Sequence, residues 1–158
     1  MRLRLAVLAM IVLPLQACAE KGAGSMHYSL DGPPLAIAAE QGGKTCSGHM
    51  ERASMLGQGG VAFQFDGFVC ADSIKNMPNE SGHVAAILRC DNGELLMVTF
   101  RPLGPDQGIG IGRNMSTGGR AYGEPLIFYF HPWEDEARRR LEQEKNILMD
   151  IINKREQK

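Results

Sequence analysis

The chain predicts an α+β fold, an antiparallel β-sheet of about five to seven strands with a long C-terminal helix. Three observations carry that expectation. Nineteen glycines and eight prolines in 158 residues require many turns. Before residue 130 the apolar residues fall in short alternating or paired runs, without helical spacing. From Trp133 onward the spacing becomes that of an amphipathic helix.

Taken in order, residues 25–41 contain Gly32-Pro33-Pro34, which forbids a long regular element there, so residues 18–43 read as a tether and 44–158 as one domain. Lys44 to Leu56 fits neither period. After the turn Gly57-Gln58-Gly59-Gly60, Val61, Phe63 and Phe65 alternate with Ala62, Gln64 and Asp66, the signature of a half-buried strand. Gly67 is expected to bulge or bend that strand before Phe68-Val69-Cys70. Residues 71–82, with Pro78, Asn79, Glu80 and Ser81, read as a surface connection.

The clearest local signal is the pair of apolar runs 83–90 and 94–101 hinged on Asn92-Gly93. A two-residue type I′ turn there sets Ile87 opposite Val98, Ala85 opposite Phe100, Leu88 opposite Met97 and Cys90 opposite Leu95. Both faces of this hairpin are apolar, which predicts a central position covered on two sides. Gly108, Gly110 and Gly112 then strip one face of the next strand and leave Gln107, Ile109, Ile111 and Arg113 on the other, so something must pack against the bare face. Gly118-Gly119 makes a turn, and Leu126 to Phe130 reads as a last buried strand.

The helix is expected over about 133–154. Pro132 suits its first turn, and Glu134, Asp135 and Glu136 favour its positive start. Three i,i+4 pairs, Glu134–Arg138, Asp135–Arg139 and Glu136–Arg140, add about 0.2 to 0.5 kcal/mol each. Trp133, Ala137, Leu141, Leu148 and Ile152 form an apolar stripe, with Ile147 and Ile151 alongside. A polar gap at Gln143 to Asn146 predicts that the first half stands off the domain and that only Ile147 to Ile152 dock firmly.

The first twenty residues speak to location. Arg2 and Arg4 form a positive region, Leu5 to Leu15 an apolar run too short for a permanent membrane span, and Cys18 closes the segment. Leu15-Gln16-Ala17-Cys18 resembles the lipobox of bacterial lipoproteins, with Leu15 and Ala17 matching the pattern and Gln16 larger than the usual residue. The resemblance covers the leader alone. It implies that residues 1–17 are a signal peptide removed by cleavage and that Cys18 is lipidated. With no Asp after Cys18, it implies sorting to the outer membrane, facing the periplasm. The other reading of the same residues is an A-x-A site, Ala17-Cys18-Ala19, that releases a secreted protein.

Cleavage would remove Arg2 and Arg4 and no acid, leaving 15 of the 17 basic residues against 18 acidic ones, a formal charge of −3. That field offers nothing to a nucleic acid. An oxidising compartment makes a disulfide between two of Cys46, Cys70 and Cys90 the expectation, worth about 3 to 4 kcal/mol in the chain-entropy account. Which two is open. No C-x-x-C occurs, and neither a metal nor a cofactor is expected.

Among candidate chemistries, Gly108-x-Gly110-x-Gly112 lacks the Lys-Ser/Thr and the following helix of a phosphate loop. Arg101, Arg113 and Arg120, with Asp106 and Gln107, could bind an anionic ligand group or a partner's carboxylates, or be solvated surface. His27, His49, His83 and His131 sit in no catalytic motif. The functional expectation is a non-enzymatic protein-interaction module of the cell envelope, either inhibitor or immunity-type or an assembly component, held to the membrane by its N-terminal lipid and binding an exported or envelope protein. The alternatives are a binder of an anionic small molecule or glycan, and a hydrolase whose residues meet only in the fold.

Overall fold

The computed structural model describes residues 32–75, 82–104 and 106–156. Eight antiparallel strands run as a continuous meander and close into a barrel: β1 Leu35–Gln41, β2 Lys44–Met50, β3 Gly59–Phe65, β4 Phe68–Ile74, β5 Val84–Cys90, β6 Leu95–Gly104, β7 Gln107–Met115 and β8 Ala121–His131. A 3-10 helix, Arg52–Leu56, joins β2 to β3, and one α-helix, α1, spans Glu134–Glu156. The expected open sheet of five to seven strands is therefore corrected to a closed barrel of eight.

The difference lies in the first two strands. β1 begins directly after Pro34, so residues assigned to the tether supply the strand that closes the barrel against β8, from Ala36↔His131 to Gln41↔Leu126. β1 shows no alternation because both its faces are covered. Leu35, Ile37 and Ala39 point into the barrel, while Ala38 lies under α1. β2 carries Cys46, Gly48 and Met50 on its inner face, a set too mixed to read as a strand in isolation.

Gly67 does not bend one long strand; with Asp66 it turns the chain back, so that Phe65 pairs with Phe68 and two strands result. The 83–101 hairpin exists, with a register one residue away from that of a two-residue turn. Gly93 alone takes positive φ (87°), its N–H donates to Cys90 O at 3.0 Å, and Cys90 N–H donates to Glu94 O at 2.9 Å. The loop is thus Asp91-Asn92-Gly93. The Asp91 carboxylate accepts from the Val69 N–H at 3.0 Å, drawing this residue into the turn. Because strand side chains alternate, that single step changes every partner: Leu88 now opposes Leu96 inside, and Ile87 opposes Met97 outside.

The hairpin is also not covered on two sides. Val84, Ala86, Leu88 and Cys90 are buried, whereas Ala85, Ile87 and Arg89 face solvent.

The barrel interior is filled by side chains. Phe63, Phe100, Phe128, Phe130, Leu88, Leu96 and Val98 are fully buried there. Eight strands enclose just enough space for such a filling. The bare face of β7 accommodates the largest of them. Gly108 is opposite Phe130, Gly110 opposite Phe128 and Gly112 opposite Leu126. A Cβ at Gly110 would stand 2.2 Å from Phe128 Cζ and 2.7 Å from Phe100 Cβ. The glycine row is what lets these rings meet edge to face, with Phe100–Phe130 centroids 5.7 Å apart and Phe63–Phe128 4.9 Å apart.

Helix α1 lies along the outside of β8 and β1. Its first half is docked, contrary to the sequence expectation, with Ala137 and Leu141 buried against Ala38, Ile127 and Tyr129, and in the second half Leu148 and Met149 pack on the same cluster. Small residues at Ala38 and Ala137 let the helix approach closely. The polar gap is bridged, since Lys145 Nζ lies 3.2 Å from Glu40 Oε2 on β1 and 2.9 Å from Glu142 Oε2. Further along, Ile147 and Ile151 are exposed while Ile152 is buried. Two of the three expected helix pairs form, Glu134–Arg138 at 2.9 Å and Glu136–Arg140 at 3.2 Å. Arg139 turns instead to Glu136.

Candidate interaction surfaces

The residues singled out from sequence are distributed over the barrel. Asp106 and Gln107 stand at the β6–β7 turn, at the end of the barrel where β1 begins. Asp106 pairs with Arg52 of the 3-10 helix, and Gln107 Oε1 accepts from the Tyr129 hydroxyl at 3.1 Å. Burial is the main cause that raises the Tyr129 pKa, against the lowering effect of Arg140 and with Glu144 and Glu136 adding to the rise, so it remains a donor. Arg101 is exposed on the outer face of β6 beside Ile109. Arg113, four residues further along β7, donates to Gly123 O at 3.1 Å. Arg120 belongs to the β7–β8 turn at the opposite end, where its N–H donates to Ser116 Oγ at 3.2 Å. The nine-residue strand β7 puts about 30 Å between Asp106 and Arg120. The five do not converge on one ligand group.

Of the cysteines, Cys70 and Cys90 form a disulfide inside the barrel, directly opposed on β4 and β5. Cys46 is half-buried and packs with Phe65 and Phe68 against the core. Cys18 and His27 lie outside the described residues.

A surface cleft of about 360 Å³ separates the middle of α1 from the β1–β2 turn, lined by Glu40, Gly42, Glu124, Lys145 and Met149 among others. Its lysine already serves two carboxylates. Hydrogen bonds to Glu142, then to Glu40, raise the Lys145 pKa and hold it charged. With Glu124 alongside, the cleft offers an anion no spare cation. Among the described residues no group of three His, Cys, Asp or Glu side chains could hold a metal.

The barrel interior is filled by apolar side chains, and its outer surface mixes polar residues with exposed apolar ones such as Val69, Ile87 and Met97. Among the described residues no helix is long and apolar enough to cross a membrane.

The outer wall carries a feature that sequence reading missed. Across β5, β6 and β7 the outward residues form a grid in register: Arg89, Leu95 and Met115 in one row, Ile87, Met97 and Arg113 in the next, Ala85, Thr99 and Ile111 in the third. Ile87 is 52% exposed and Met97 36%. Helix α1 covers β8 and β1 and leaves this wall open. The sequence signal for it is the two-faced apolarity of the hairpin, which fits an uncovered wall as well as burial on both sides.

The architecture defines the protein as a small up-and-down barrel with a solid core and one outer helix. Comparison with protein-family models, with curated proteins and with solved structures gives no match.

Proposed function

We propose that the chain is an outer-membrane-anchored periplasmic lipoprotein whose barrel is a non-enzymatic docking module for another exported protein. The observation that carries this reading is the exposed pair Ile87–Met97, with the half-buried Arg113 beside it in the same row, on the wall of a barrel whose inside is already full. Surface patches that combine methionine, branched aliphatic residues and arginine favour protein partners, because apolar area is buried while the guanidinium groups find carboxylates at the rim. Arg89, with an 83% exposed side chain only 3.9 Å from Asp72, keeps most of its charge available for such a contact. The partner surface is accordingly apolar at its centre and acidic at its edge. The lipobox-like leader supports the anchor, and the disulfide suits an oxidising compartment.

A photo-crosslinking residue at Ile87 of the full-length chain, expressed in its own envelope, tests the reading. The expected result is a discrete protein adduct that disappears when Met97→Glu and Arg113→Glu are added. The same adducts from a crosslinker at Gln64, on the facing wall, would remove the case for this surface.

A further inference from the structure

One end of the barrel is unlike a water-facing surface. The 3-10 helix closes it, burying Ala53, Ser54 and Met55. Around it stand Leu56, 69% exposed, Leu103, 50%, and Trp133, 71%. All three belong to the same end, because β2 and β8 finish there just before Leu56 and Trp133, and β6 finishes there at Leu103–Gly104. Trp133 is the chain's single tryptophan. Its backbone N–H donates to His131 Nδ1 at 3.2 Å, and its ring lies 5.4 Å from the imidazole, so it is held in place yet left in water.

The chain also enters at this end. Arg52 Nε donates to Pro33 O at 3.1 Å while its guanidinium pairs with Asp106, clipping the incoming segment beside the 3-10 helix that carries Leu56. Fourteen positions separate Cys18 from Gly32, which bounds their separation at about 50 Å and permits much less.

We infer that this rim rests on the bilayer, with Leu56, Leu103 and Trp133 seated in the headgroup region of the membrane to which Cys18 is attached. The inference rests on the lipoprotein reading proposed above. Tryptophan and leucine together suit that depth, one end of the indole being apolar and the other a hydrogen-bond donor. The local charges say what kind of lipid is needed. Toward this end Arg52, Lys75, Arg101 and Arg138 are matched in number by Glu51, Asp106, Glu134 and Asp135, with Arg52 paired to Asp106 and Arg138 to Glu134. The contact is therefore apolar and independent of anionic lipid.

The test uses the full chain purified from membranes, reconstituted in zwitterionic phospholipid vesicles with brominated acyl chains, beside the Cys18→Ser chain in solution. Expected are a blue-shifted Trp133 emission, quenching by bromine near the headgroups that added anionic lipid leaves unchanged, and its loss in Leu56→Asn with Leu103→Asn, two exposed changes compatible with folding. A chain that bears lipid and pellets with the vesicles, yet shows the Cys18→Ser emission and no bromine quenching, overturns the rim contact alone. A chain with no lipid mass and no sedimentation overturns the anchor and the rim contact together.

Discussion

The β7–β8 wall and the β4–β5 seam belong to the same barrel but are held by different means. β7 and β8 are registered from Gly108↔Phe130 to Met115↔Ala121, and the rings of Phe128 and Phe130 lie across the glycine row. β4 and β5 share two registered pairs among the described residues, Cys70↔Cys90 and Ala71↔Arg89, extended by Asp91 N–H to Val69 O at 2.9 Å. Beyond those pairs Asp72 and Ser73 are exposed. One closure rests on complementary volume, the other on a covalent bond placed where the ladder is shortest. Packing holds the long ladder, whereas on the short one a covalent bond is set on one of the two registered pairs.

The largest way to break this contrast is Gly110→Val. Its branched side chain would occupy the space of the Phe128 and Phe100 rings, so a loss exceeding about 3 kcal/mol is expected, read as a lowered melting temperature. An unchanged melt would mean that the glycine row is not what sets the volume of the core. Next is the double change Cys70→Ser and Cys90→Ser, costing about 3 kcal/mol for a sequence separation of 20. Amide exchange should then accelerate first at Val69 to Ala71 and Arg89 to Asp91, and uniform acceleration would show that the seam is not the weak place.

Leu141→Ala tests the wall from its outer side. It removes a buried side chain between α1 and β8 and is expected to cost about 2 kcal/mol, with α1 loosening before the barrel does. The smallest effect concerns Glu136. Hydrogen bonding from Arg139 leads the causes that lower its pKa from 4.5 to about 2, with Arg140 contributing. Since the folded value is depressed, the stabilisation is present above pH 4.5 and fades as the pH falls toward 2. The melting difference between the native chain and Glu136→Gln should shrink through that interval, and a constant difference would contradict the assignment.

The sequence was most legible where one face of a strand meets the core and the other meets water. Val61, Phe63 and Phe65 announced β3, and the alternate glycines announced a bare face awaiting bulky partners. It was least legible at β1, where Leu35, Ile37 and Ala39 face the core and Ala38 faces α1, because burial on both sides erases the period. Closure itself leaves no local mark, since the pairing of β1 with β8 joins residues about ninety apart in the chain. Docking of the first half of the helix is hard to read because Ala137 carries little hydrophobicity of its own and gains its burial from the equally small Ala38. The outward grid could not be read before the hairpin register was known, since one residue of slip exchanges its members for those of the core.

Eight is an even number, so the meander returns to the pole at which it began, and α1 alone carries the backbone to the other pole. A helix of 23 residues spans about 34 Å. A reporter spliced behind α1 would be displayed at the antipode of the entry point, and one inserted ahead of Leu35 would crowd it.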